Sequence, residues 1–241
     1  MAMYSLDPIN ANCYEGTTVL INKFDIHDEE KLLQAEIAIT QEAAASWDRS
    51  PKCDSFDFEH FRAIHEHLFH DLYDWSGQVR TVNISKKGTN FCPHYEIEGH
   101  AERIFTRLRE ADSLCGLAKE VFIDEFVDMY VSTNYLHPFR EGNGRTQRLF
   151  LSQLARNAGF RLSFAEIDID MLMIATIQSA HGVVDGLKEI FSKAISRLPK
   201  VSLDQQPEKK MMEKLQKSRE RAENAKSSIP AAKKKSKSSE R

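Results

Sequence analysis

Cysteine is scarce in this 241-residue chain: Cys13, Cys53, Cys92 and Cys115 lie far apart and form no CxxC pair. That argues against a disulfide framework and for reduced thiols in a cytoplasmic protein. No uncharged apolar run approaches the roughly 20 residues of a membrane span, so no membrane segment is expected. The opening residues, MAMYSLDPINANCYEG, carry neither a basic n-region nor an apolar h-region, and no Sec-type signal is expected. A Walker phosphate loop, GxxxxGK[ST] after a strand, is also missing. The formal net charge is only -3, which gives no global pull toward nucleic acid.

What is present is unevenly spread. Hydrophobic residues make up 41% of the chain, enough for one core. Residues 201–241 carry 12 Lys/Arg against 6 Asp/Glu, while residues 1–200 carry 21 against 30. The chain is therefore expected to form one domain over 1–200, with an irregular N-terminal lead-in, followed by a basic tail over 201–241 that is partly helical or disordered. The KKKSK run of that tail lacks aromatic residues for stacking, so nucleic-acid binding is not expected.

Hydrophobic spacing of three and four predicts helices along most of the body. DIHDEEKLLQAEIAITQEAAASWD is expected to start at Asp25 or Asp28 and to turn Leu32, Leu33, Ile37 and Ile39 inward. DSFDFEHFRAIHEHLFHDLYDW aligns Phe58, Phe61, Ile64, Leu68 and Leu72 and is expected to stop at Ser76–Gly77. The alternation in QVRTVNISKKGTNFCPHYEI predicts a hairpin turning at Lys87–Gly88, the one clear β signal. The fold class is thus mainly α, a helical bundle with one inserted β-hairpin. HEHLFH spaces His65 and His70 one residue too far apart for the metalloprotease HExxH pattern and is read as core-edge or solvated histidine.

The densest chemistry lies in LHPFREGNGRTQR, residues 136–148. Pro138 disfavours helical dihedrals at His137, so the preceding helix ends there. Gly142 and Gly144 permit tight turns and close approach of a ligand to the backbone. A helix starting near Asn143 presents N–H groups that bind anions. Arg145 and Arg148, three apart, add positive charge that is unfavourable at a helix start without an anionic partner. Glu141 offers a carboxylate suited to Mg²⁺ beside phosphates. His137 stands where a general base would take a proton from a hydroxyl.

HPFREGNGRTQR resembles the signature of the Fic family, HPFx[D/E]GNGRxxR, at every specified position. HEHLFHDLYDWSGQVR, GTNFCPHYEI and RLFLSQLARNAGF are similar to the family's segments around that signature. The resemblance implies the Fic fold, whose hairpin is called the flap. It implies transfer of AMP from ATP to a Tyr, Thr or Ser hydroxyl of a target protein, with Mg²⁺ as cofactor and self-modification as a further outcome. It makes His137 the base, Phe139 a core anchor and Glu141 the Mg²⁺ ligand. Gly142, Asn143 and Gly144 become the α-phosphate anion hole, and Arg145 and Arg148 the grip on the β- and γ-phosphates. Lys87, Gly88, Thr89, Asn90 and Phe91 become the flap that docks the target as an added strand. Alternatives are transfer of UMP or another phosphate-linked group at the same site, and a non-catalytic nucleotide-binding protein. Gln178 and Asp185 are weak adenine-contact candidates and read more simply as helix-surface groups.

Many relatives carry an inhibitory helix, [ST]xxxE[GN], whose Glu covers the second signature Arg, here Arg148. RERAEN at 219–224, ANCYEG at 11–16 and SKSSER at 236–241 each miss the pattern. A separate small antitoxin protein is therefore expected as partner. Location in a bacterial cytoplasm is expected, with export to a host cell left open.

Overall fold

The computed structural model describes residues 4–7, 12–49, 55–86 and 89–199. The expected tail at 201–241, two of the segments searched for an inhibitory helix (219–224 and 236–241) and the flap turn Lys87–Gly88 lie outside the described residues, as does Ala11 of the third.

The chain runs β1 (Tyr4–Asp7), α1 (Glu29–Arg49), α2 (Phe58–Phe69), β2 (Asn83–Lys86), β3 (Thr89–Asn90), α3 (Ile97–Glu110) and α4 (Lys119–Leu136). It continues with α5 (Asn143–Asn157), β4 (Phe160–Leu162), α6 (Ile169–Ser179), α7 (Asp185–Ala194) and β5 (Ile195–Arg197). The mainly helical class and the inserted β2–β3 hairpin are as expected. Two further pairings are not. β1 adds antiparallel to β2, with Tyr4 opposite Lys86 and Asp7 opposite Asn83. β4 and β5 form a separate antiparallel pair. Strands of three or four residues with strand partners far away in sequence leave almost no periodic trace, which is why the hairpin had looked like the sole β element.

Local chemistry sets most boundaries. Asp57 caps α2 by accepting the His60 N–H at 2.8 Å, and Asp168 caps α6 by accepting from Asp170 and Met171. Asp28, one of the two expected caps, accepts the Lys31 N–H at 2.9 Å. The second helix ends at Phe69, well before Ser76–Gly77, and passes through turns from there. Of the four inward-facing residues expected on α1, Leu32 is buried while Leu33 and Ile37 are 54% and 46% exposed. The buried stripe instead runs Leu32, Glu36, Thr40 at intervals of four, and includes a carboxylate.

The core is aromatic. Phe61 on α2 lies 5.3–5.8 Å, centroid to centroid, from Phe105, Phe139 and Phe150. Phe122 stacks on Phe160 at 4.1 Å, tying α4 to β4. Each such side chain contributes about 1.5–3 kcal/mol of burial, so α2, α4 and α5 form a firm base under the loop between α4 and α5.

Candidate active site

That loop starts with a forced turn. α4 ends at Leu136, and His137 takes a left-handed conformation, φ 40° and ψ 58°. Pro138 disfavours helical dihedrals at His137, and the chain turns there. Phe139 is fully buried and stacks face to face on His65 at 3.8 Å. Asn143 then closes the loop across four residues. Its Oδ1 accepts the Phe139 N–H at 2.8 Å, and its Nδ2 donates to the Phe139 carbonyl at 2.7 Å. The Asn143 side chain is thus engaged in holding the loop, so an anion at this helix start would be met by backbone N–H groups rather than by the Asn143 amide.

Gly142 is required in two ways. Its φ is +80°, and a Cβ there would lie 2.2 Å from Cζ of Phe69. Its own N–H donates to Glu141 Oε1 at 2.9 Å. Gly144 sits inside the first turn, where an added Cβ would meet only the Arg148 guanidinium at 3.5 Å.

Two buried groups hold this loop: His65, expected at the core edge or in solvent, and Arg80, which carries no signal in the sequence. His65 is fully buried, and its Nε2–H donates to the Glu141 carbonyl at 3.0 Å. Its Nδ1 accepts the Gly77 N–H at 2.8 Å, which fixes a neutral tautomer. Burial pushes its pKa down to about 3. Arg80 is the second group. Its Nε donates to the His137 carbonyl at 2.8 Å, Nη1 to the Val82 carbonyl at 2.6 Å and Nη2 to the Cys92 carbonyl at 2.5 Å. One guanidinium therefore ties together the α4 end and both stems of the hairpin.

A third network meets the arginines. Arg145 Nη2 lies 2.6 Å from Glu36 Oε2 and 3.4 Å from Glu141 Oε1, and its guanidinium sits 4.7 Å over the Phe69 ring. Glu36 also accepts from the Tyr73 hydroxyl. The anionic partner that two arginines at a helix start require is thus partly internal. A charged residue within the buried α1 stripe was the available signal.

His137 is held as a neutral imidazole. Its Nδ1–H donates to the Asn134 carbonyl at 3.3 Å, leaving the lone pair on Nε2. Phe91 lies flat on the imidazole, 3.6 Å between centroids and 10° between planes. Burial, opposed by the Asn134 contact and reinforced by the charge of Arg80 and Lys86, pushes the His137 pKa down to about 3.

These groups converge. His137, Glu141, Gly142, Asn143, Gly144, Arg145 and Arg148 line one cavity of about 380 Å³, together with Thr89 and Phe91 of the hairpin. That volume falls in the roughly 300–1,000 Å³ range of small-molecule sites. Asn90 lies just outside it, on the neighbouring cleft. The far wall is apolar and comes from α6: Ile169, Leu172, Met173 and Ile177. These residues were missed because α6 reads as a core helix; Ile169 is in fact 80% exposed. Gln178 faces a different cavity between α6 and α7, and Asp185 starts α7. Among the described residues no cluster of three or more metal-ligating side chains occurs. Glu141 therefore suits a cation that takes most of its ligands from phosphate and water, as Mg²⁺ does. His60 is buried and bonded to Gln153, whereas His70 is exposed, in keeping with core-edge and solvated roles for the histidine-rich helix.

Comparisons with known proteins agree with this geometry. Residues 55–155 match the Fic/DOC family. The chain is 38% identical over 183 residues to "Probable protein adenylyltransferase Fic" of Salmonella typhimurium, covering 76% of this chain and 90% of that protein. It is 33% identical over 180 residues to protein adenylyltransferase VbhT of Bartonella schoenbuchensis, covering 75% of this chain and 38% of the relative. Its fold superposes on the crystal structure of the BepC protein of Bartonella tribocorum with bound AMPPNP, with a TM-score of 0.73 and 27% identity over 77% of this chain and 96% of the other. A glycine-flanked helix start beside a neutral histidine, under a hairpin, on this scaffold and at this level of identity, leads to one conclusion: the chain belongs to the Fic/DOC family.

Proposed function

We propose that this protein is an adenylyltransferase that moves AMP from ATP to a Tyr, Thr or Ser hydroxyl of a target protein. The observation that carries the reading is the placement of a neutral His137 in the same cavity as the α5 start and both signature arginines. The target oxygen attacks the α-phosphorus, the bond from that phosphorus to the α,β-bridging oxygen breaks, and pyrophosphate leaves. The proton of the hydroxyl passes to His137 Nε2. The first N–H groups of α5 hold the α-phosphate, and Arg145 and Arg148 hold the β- and γ-phosphates. Phosphoryl chemistry is accelerated mainly by such fixed donors. Glu141 would hold a Mg²⁺ ion that accompanies the nucleotide, and that ion would supply neutralisation of phosphate charge. Ile169, Leu172, Met173 and Ile177 offer the apolar face against which a base stacks.

Restraint by a separate small protein fits a second feature. A groove beside α1, lined by Ile37, Ala44, Leu68, Leu149 and Phe164, ends at Arg145 and Arg148. An amphipathic helix laid there brings an acid to Arg148. The described cysteines, Cys13, Cys92 and Cys115, are free thiols. No described helix is long and apolar enough to cross a membrane.

The test is incubation of wild type and His137→Ala with Mg²⁺ and ATP labelled at the α-phosphate, alone and with cell lysate. Label should enter protein only with wild type. Equal labelling by both variants, or none with wild-type chain freed of co-purified protein, would overturn the reading.

A further inference from the structure

The hairpin offers a target strand two edges, and the structure leaves one of them. The sheet order is β1-β2-β3, so the outer edge of β2 is covered by β1 and β3 ends the sheet. The Phe91 N–H donates back to the Ile84 carbonyl at 3.4 Å. Antiparallel pairs alternate between bonded and non-bonded, so the Ser85–Asn90 pair turns its backbone groups outward. The N–H and C=O of Asn90 therefore face the open edge of β3.

A cleft adjoins that edge. Thr89, Asn90 and Phe91 form one wall, Tyr135 and Val131 of α4 the floor, and the turn after α6, Ser179 to His181, the far wall. Thr89, Phe91 and Asn134 line both this cleft and the nucleotide cavity, so the two are continuous around the Phe91 ring. Side chains two apart on a strand share a face and lie about 6.5–7 Å from one another. A strand paired with Asn90 that sets one side chain over His137 sets the next on that face into the cleft. The lining holds no Asp, Glu, Lys or Arg, but does hold hydroxyl, amide and imidazole groups above Val131.

We propose that the target strand, docked on the flap as the family resemblance implies, runs between β3 and the α6–α7 turn and places an uncharged side chain, two positions from the acceptor hydroxyl, into this cleft. The cleft then selects the target by its neighbouring residue as well as by its hydroxyl. This rests on the transferase reading above.

The test uses the full chain, ATP labelled at the α-phosphate, and the same lysate. Ala180 is exposed and touches no part of the nucleotide cavity, so Ala180→Trp fills the cleft without altering that cavity. It should reduce labelling of lysate proteins by at least about tenfold while binding a non-hydrolysable ATP analogue as wild type does. Asn90→Pro removes the outward-facing N–H, at an edge position where proline is tolerated, together with the Asn90 side chain that lines the cleft, and should reduce labelling comparably. Wild-type labelling retained by Ala180→Trp, or lost in step with its ATP-analogue affinity, would overturn the proposal. Absence of labelling by wild type overturns the transferase reading itself, and this proposal with it.

Discussion

Gly142→Ala tests how the phosphate cradle is built. The residue is left-handed, φ +80°, and an added Cβ would sit 2.2 Å from Cζ and 2.3 Å from Cε2 of the Phe69 ring. A left-handed residue that bears a Cβ costs about 1–2 kcal/mol. Forcing a methyl group into a packed site adds about 1–3 kcal/mol. The substitution should therefore cost about 2–5 kcal/mol in total. In a domain of this size 1 kcal/mol lowers the melting temperature by roughly 2–4 °C, so a fall of about 4–20 °C is expected. Phe69→Leu withdraws the ring and separates the two terms. In that background Gly142→Ala should lose its clash but keep its backbone strain, giving a coupling of about 1–3 kcal/mol. Phe69 also supports the Arg145 guanidinium, so affinity for an ATP analogue should fall with Gly142→Ala and partly return in the double variant. The measurements are thermal and denaturant unfolding of the four proteins, with analogue binding alongside. Gly142→Ala melting with wild type would refute the reasoning. So would complete rescue, or no rescue, by Phe69→Leu.

Two further outcomes follow from the buried groups. His65 has a pKa of about 3 in the fold against 6.5 for the free side chain, so between those values the unfolded chain binds more protons. Its contribution is complete above pH 6.5 and is lost as pH falls, at about 1.4 kcal/mol per pH unit. His65→Gln should flatten the stability profile between pH 6 and 5 by that slope in urea unfolding; an unchanged slope would show that His65 is protonated in the fold. Arg80→Lys leaves one ammonium for three carbonyls. Misplacing the base by an ångström costs on the order of 100-fold in rate, so kcat for transfer should fall by about that factor while ATP-analogue affinity stays within about threefold. Equal losses in both would show that Arg80 merely supports the nucleotide site.

The loop was readable because its chemistry is contiguous. His137 to Arg148 occupy one turn and one helix start, where proline, glycine and capping rules act over a few residues. The bundle was readable from its apolar spacing, and the hairpin from a change of period. What supports the loop was not readable, because it comes from far along the chain. Glu36 reaches Arg145 across 109 residues, His65 reaches Glu141 across 76, and Arg80 reaches His137 across 57. Each is a polar residue whose burial becomes evident only once its partner is in place. The α6 wall failed for the opposite reason. Its apolar residues look like core at any position, and only the fold reveals that they border a cavity. β1 pairs with a strand 76 or more residues away through backbone groups that every sequence possesses.

The three carbonyls gathered by Arg80 bear on how such an enzyme is switched. A lid that swung open would have to leave one guanidinium without its partners in a dry setting, and His137 would move with it. The hairpin stems and the base therefore behave as a single mechanical part, more a fixed jaw than a door. Control then falls to what occupies the jaw from either side: a competing strand along β3, or an acid seated against Arg148. In an enzyme built this way, a partner seated at either place would block transfer without any movement of the jaw.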